Sequence, residues 1–109
     1  MTLKELKKLF PDATKSTWHK HKNGKGWVKN TAHVDDSAYV GPNARVYGDA
    51  LVCGNALVYD NAEVYGNALV YGNAQVCGDA QVCGNAHVCG NALVCGDAEL
   101  EDDKWTVPR

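Results

Sequence analysis

Three groups of side chains in this 109-residue sequence could do chemistry: five cysteines, four histidines and a cluster of lysines. Cys53, Cys77, Cys83, Cys89 and Cys95 recur at multiples of six, in phrases such as "QVCGDAQVCGNAHVCG". None has the two-residue gap of a zinc knuckle, so no metal site is expected. An odd set of thiols, unpaired by spacing, points to a reducing compartment, and cysteine here serves as a small apolar residue. His19 and His21 lie two apart, while His33 and His87 stand alone far along the chain. A histidine base needs an orienting partner and reach to its substrate, and spacing supplies neither. His87 and His33 are therefore the only catalytic candidates, and no catalytic role is assigned to them. No cofactor is implied.

The lysine cluster is "WHKHKNGKGWVK", in which Lys20, Lys22 and Lys25 alternate with His and two Trp. Basic residues interleaved with aromatics can hold phosphates and stack bases, so these lysines are what an anion or nucleic acid would meet. The competing reading is an end cap, with Trp18 or Trp27 over apolar surface and lysines keeping the end hydrated. The cap is preferred, and nucleic acid is not expected as a partner.

The elements that hold these residues follow from a repeat. Ala recurs every six residues from Ala32 to Ala98, and two places later stands Val, from Val34 to Val94, then Leu100. The unit is Ala-x-Val-x-Gly-Asn/Asp. Residues i and i+2 of an extended strand share one side, and Val suits a buried pleated surface. Gly followed by Asn or Asp is turn chemistry. Each hexapeptide thus reads as a very short strand and a corner. A helix is excluded, because period six keeps no helical face apolar and each Gly would cost about 1 kcal/mol.

Before the repeat, "TLKE" fits a capping box, and Leu3, Leu6, Leu9 and Phe10 recur at helical spacing until Pro11. The division expected is 1–27 for a short helix and basic cap, 28–101 for the repeat, and 102–109 for a C-terminal cap or tail, with Leu100 and Trp105 closing the core. Charge divides along the same line. Residues 1–31 carry eight Lys against Glu5 and Asp12, a net +6, and the remainder carries −8. The sequence has no run apolar enough to be a membrane span and no secretory leader, which leads us to expect a cytoplasmic protein, or a virion component assembled in the cytoplasm. An ice-binding role would want ranks of Thr, and the repeat has none between Thr31 and Thr106.

Repeats such as "VYGNAL" and "VCGDAQ" resemble the hexapeptide-repeat family over residues 28–101. The resemblance implies an all-β fold, a left-handed parallel β-helix of about four coils, three hexapeptides to each eighteen-residue coil. It differs in one column: the family often has Gly directly after the aliphatic, whereas here Tyr or Cys stands there and Gly follows. The family's coil sorts the outward residues onto three faces. The first shows His33, Leu51, Leu69 and His87, with Asp35, Cys53, Tyr71 and Cys89. The second shows Tyr39, Leu57, Gln75 and Leu93, with Gly41, Tyr59, Cys77 and Cys95. The third shows Arg45, Glu63, Gln81 and Glu99, with Tyr47, Tyr65, Cys83 and Glu101. Only Cys77 and Cys95 then stack on adjacent coils within disulfide range.

Two faces are apolar at their middles, and such patches mark interfaces. With the family's habit of forming parallel homotrimers, this implies a homotrimer, or docking of a protein partner, through Leu51, Leu69, Tyr71, Leu57, Tyr59 and Leu93. Many family members are acyl-CoA-dependent acyltransferases with a His between subunits and a loop that walls the substrate. These repeats run without insertion, and no triad matches the three-His zinc of other relatives. A non-catalytic self-assembling scaffold or binding module is the preferred function, with acyltransferase-like chemistry the alternative. Compact, insertion-free repeats of this kind look like those of phage and other mobile-element proteins.

Overall fold

The computed structural model describes residues 2–101 and 104–107. Helix α1 (Leu3–Leu9) opens the chain. Thr2 caps it: its hydroxyl accepts from the Glu5 N–H at 3.2 Å, and the Glu5 carboxylate accepts from the Thr2 N–H at 2.9 Å. Fifteen strands follow among the described residues. They are β1 (Trp18–Lys20), β2 (Trp27–Lys29), β3 (His33–Val34), β4 (Tyr39–Val40), β5 (Arg45–Val46), β6 (Leu51–Val52) and β7 (Leu57–Val58). Then come β8 (Glu63–Val64), β9 (Leu69–Val70), β10 (Gln75–Val76), β11 (Gln81–Cys83), β12 (His87–Gly90), β13 (Leu93–Val94), β14 (Glu99–Glu101) and β15 (Lys104–Val107).

Each strand from β2 to β12 pairs in parallel with the strand three further along, as the repeat requires when three hexapeptides close one coil. The register is eighteen residues: Leu57 faces Gln75, and Gln75 faces Leu93. The result is a parallel β-solenoid of about four turns. The first face is β3-β6-β9-β12-β15, the second β4-β7-β10-β13, and the third β2-β5-β8-β11-β14 with β1 added antiparallel at its start.

The interior is what the two columns dictate. Val40 through Val94 and Ala38 through Ala92 form one continuous core, with exposures of 0 or 1%. Each buried Val contributes about 1.5–2 kcal/mol relative to exposure. The corners use the displaced Gly column. Gly66 has φ +70°, and a Cβ there would lie 2.8 Å from the Gly84 nitrogen on the next coil. The slot therefore demands both left-handed backbone and the absence of a side chain. Asp60 fills the equivalent slot at φ 58°, and its carboxylate accepts from the Gly78 N–H at 3.1 Å. Asp tolerates this conformation where most residues do not.

The start of the solenoid is closed differently from the expectation for Trp18 and Trp27. The loop 21–26 covers the free edge of β4: Val40 N–H donates to the Asn23 carbonyl (3.0 Å), and Gly26 N–H donates to the Val40 carbonyl (2.8 Å). His21, 4% exposed, donates from Nε2 to the Ala38 carbonyl at 2.8 Å. A polar loop does this better than an indole, because an open strand edge presents unpaired amides and carbonyls before it presents apolar surface. The two indoles instead join Leu6 and Ala13 in a second small core, where α1 lies along the third face. At the other end Leu100 is buried, and β15 carries the first face beyond residue 101. The closing role expected of Trp105, and of the tail at 102–109, falls on side chains outside the described residues.

Candidate interaction faces

The start of the third face is occupied by the chain itself. Phe10 and Trp18 pack against Tyr47 with ring centroids 4.7 and 5.9 Å away, and Tyr47 stacks on Tyr65 at 4.8 Å. Arg45, expected to be an outward charge, is only 6% exposed. Its guanidinium is held by the Glu63 carboxylate one coil on and by the Asn43 carbonyl at 2.8 Å. Nε of Arg45 has no partner. Glu63 also accepts from the Tyr47 hydroxyl at 2.6 Å. Burial, then the Glu63 carboxylate, raises the Tyr47 phenol far above its ordinary range.

The first face holds both catalytic candidates and keeps them apart. His33 and His87 lie on β3 and β12, three rungs apart, about 14 Å at the usual strand spacing. Exposed His33 pairs through Nε2 with Asp35 at 2.9 Å. Asp35 also accepts from the Gly54 N–H at 3.2 Å. Its carboxyl is held below the usual range by His33 first and this amide second. Half-buried His87 follows Leu69 along the same ladder. Among the described residues no group of three or more His, Cys, Asp or Glu is placed to hold a metal ion.

The predicted interface residues spread over the first and second faces. Leu51, Leu57, Leu69 and Tyr59 are half-buried, while Tyr71 is 36% and Leu93 50% exposed. The tyrosines lie down along the rod rather than standing out from it. Tyr59 O–H donates to Gln75 Oε1 at 3.2 Å, and Tyr65 O–H to Gln81 Oε1 at 3.3 Å. Each phenol thus leans onto the next coil, where the directly stacked residue is a cysteine: Cys77 below Tyr59, Cys83 below Tyr65, Cys89 below Tyr71. A cysteine leaves room for the ring to lean over it, whereas Tyr47, which has Tyr65 one coil on, stacks ring on ring. Contact with Cys77 and then burial push the Tyr59 phenol up to about 12; contact with Cys83 and then burial do the same for Tyr65. Cys77 is 8% exposed and its thiol is raised, mainly by burial. None of the five cysteines is in a disulfide. Sequence spacing held this signal for Tyr59 and Tyr65: Gln sixteen on and Cys eighteen on.

The basic segment is engaged as well. Exposed Lys20 has its Nζ 5.5 Å from the centre of the buried Trp27 ring, and Lys22 pairs with Asp36 at 3.3 Å on the surface. Lys25 sits in the capping loop at φ 66° and its N–H donates to the His21 carbonyl. His19 Nδ1 bonds Asn30 Oδ1 at 2.7 Å, so His19 and His21 turn to different partners. No helix among the described residues is long and apolar enough to cross a membrane.

A family model for the YdcK β-solenoid repeat matches residues 44–60, 62–78 and 80–96. Each match starts eighteen residues after the last, on the Ala that opens one coil. No curated protein and no solved structure gave a match. Repeat, register and family model agree: the chain is a β-solenoid repeat protein, and its central coils are similar to the YdcK repeat.

Proposed function

We propose that this β-solenoid is a non-catalytic self-assembling scaffold or binding module that packs as a homotrimer with parallel axes. The observation that carries this reading is the unequal treatment of the three faces. The third is covered at its start, at Tyr47, by α1, Phe10 and Trp18, and is polar further on, at Gln81 and Glu99. The first and second are left with Leu51, Leu69, Leu57, Leu93 and the flat phenols of Tyr59 and Tyr71. Two apolar faces meeting at one edge of a prism suit three-fold packing, in which each copy offers one face to each neighbour. The reading includes a phage or mobile-element source and a reducing, cytoplasmic setting in which the five thiols stay reduced.

The test is the molar mass in solution. Sedimentation equilibrium of the native chain is expected to give a trimer, and Leu57→Glu with Leu93→Glu a folded monomer. A native chain that stays monomeric at all concentrations contradicts the proposal. A second reading, acyltransferase-like chemistry between subunits, is favoured by one contact, the His33–Asp35 pair, which is the base-and-orienter arrangement of many hydrolytic and transfer sites. Acyl-CoA that raises the melting temperature of the native chain, but not of His33→Ala or His87→Ala, would move the balance to it.

A further inference from the structure

The seam between α1 and the third face contains a cavity of about 330 Å³. Its apolar wall is Phe10, Trp18 and Tyr47. These rings brace one another, Phe10 and Trp18 at 4.9 Å, and Tyr47 is backed by Tyr65. A braced wall of this kind does not collapse into the space beside it. Asp12, Thr17 and Lys29 line the same cavity. Asp12 and Lys29 carry opposite charges there, yet neither forms an ion pair among the described residues. Thr17 is turned to Thr14.

Small-molecule sites are mostly apolar spaces of about 300–1,000 Å³ with a few placed polar groups, and this one lies at the lower end of that range. The occupant follows from the lining. An uncharged aromatic molecule would cover the rings and strip water from both charges without replacing it. An aromatic anion would answer Lys29 and set a like charge beside Asp12, and an aromatic cation would do the reverse. A ring with one carboxylate and one ammonium satisfies all three surfaces. We infer that this cavity binds a small aromatic zwitterion of the aromatic amino-acid class, its ring against Phe10, Trp18 and Tyr47, its carboxylate toward Lys29 and its ammonium toward Asp12. The inference does not depend on self-assembly, and its failure would leave that proposal untouched.

Calorimetry and ligand-observed saturation-transfer NMR on the full chain test it with three probes: L-tryptophan, indole-3-propionate, which lacks the ammonium, and tryptamine, which lacks the carboxylate. Saturable one-to-one binding of tryptophan is expected, with each analogue about tenfold weaker, the size of one charge-assisted contact. Lys29→Gln should erase the preference for tryptophan over tryptamine, and Asp12→Asn its preference over indole-3-propionate. Thr17→Trp, which adds a bulky ring to the cavity lining from an exposed position, should abolish binding with the circular dichroism unchanged. No saturable binding of tryptophan, equal binding of all three probes, or binding indifferent to all three substitutions would overturn the inference.

Discussion

A Val64→Asp chain is expected to lose the solenoid altogether. Val64 is fully buried on β8, between Val46 and Val82 of the adjacent coils. A carboxylate there would be surrounded by methyl groups with no donor in reach, at a cost of several kcal/mol even after relaxation. That is comparable with the whole stability of a small domain, about 5–15 kcal/mol. In a solenoid each coil is stabilised mainly by its neighbours, so a break on a central coil removes two interfaces at once. The β-sheet circular dichroism and the cooperative thermal transition should both disappear. Val64→Ala should keep the fold and lose about 2–3 kcal/mol, because the hydrogen-bonded ladder fixes the coil spacing and the gap cannot close. A Val64→Asp protein that melts near the native temperature would mean that this column does not face inward.

The second large effect is at the corners, where two glycines separate two causes. Gly66 and Gly96 have nearly the same backbone angle, φ +70° and +71°. A Cβ on Gly96 would meet nothing within 4 Å, whereas one on Gly66 would strike the Gly84 backbone at 2.8 Å. Gly96→Ala should cost only the left-handed strain, about 1–2 kcal/mol. Gly66→Ala should cost that and the displacement of a neighbouring backbone, roughly 3–5 kcal/mol together. Chemical denaturation of the two variants measures the difference. Equal losses would show that the corners of successive coils are not stacked on one another.

These two predictions rest on features the sequence carries locally. The Ala and Val columns alternate inside each hexapeptide, and strand and inward face follow from that alternation alone. The Thr2 and Glu5 capping box is local in the same way. The eighteen-residue coil came from the family resemblance, since six-residue spacing alone does not say how many units close a turn. What was not legible is where the N-terminal segment goes. The apolar side of α1 announces that it must be covered, but nothing in the spacing of Leu3, Leu6 and Phe10 names Tyr47 as part of the cover. Burial of Arg45 was equally hidden, since it depends on Trp27 of β2 beside it and Glu63 one coil on. The capping role of His21 was hidden for a related reason: it answers the bare carbonyl of Ala38, seventeen residues away, which becomes an edge only once the coil has closed. For the faces, the outward positions could be sorted in advance, but the Tyr-over-Cys stacking needed the coil spacing to be seen.

The core, the corners and the faces all depend on coils stacked in one register. In the structure, the amide of each residue n along the central rungs donates to the carbonyl of residue n+17: Leu57 to Ala74 at 2.9 Å, Tyr65 to Val82 at 2.9 Å, Asn67 to Gly84 at 2.8 Å. Scalar couplings transmitted through hydrogen bonds, measured by NMR on isotope-labelled protein, read donor and acceptor directly. Couplings between those pairs, repeated rung after rung, are the result the account predicts. Couplings at a separation of four residues, or in the mirror order of antiparallel hairpins, would contradict it.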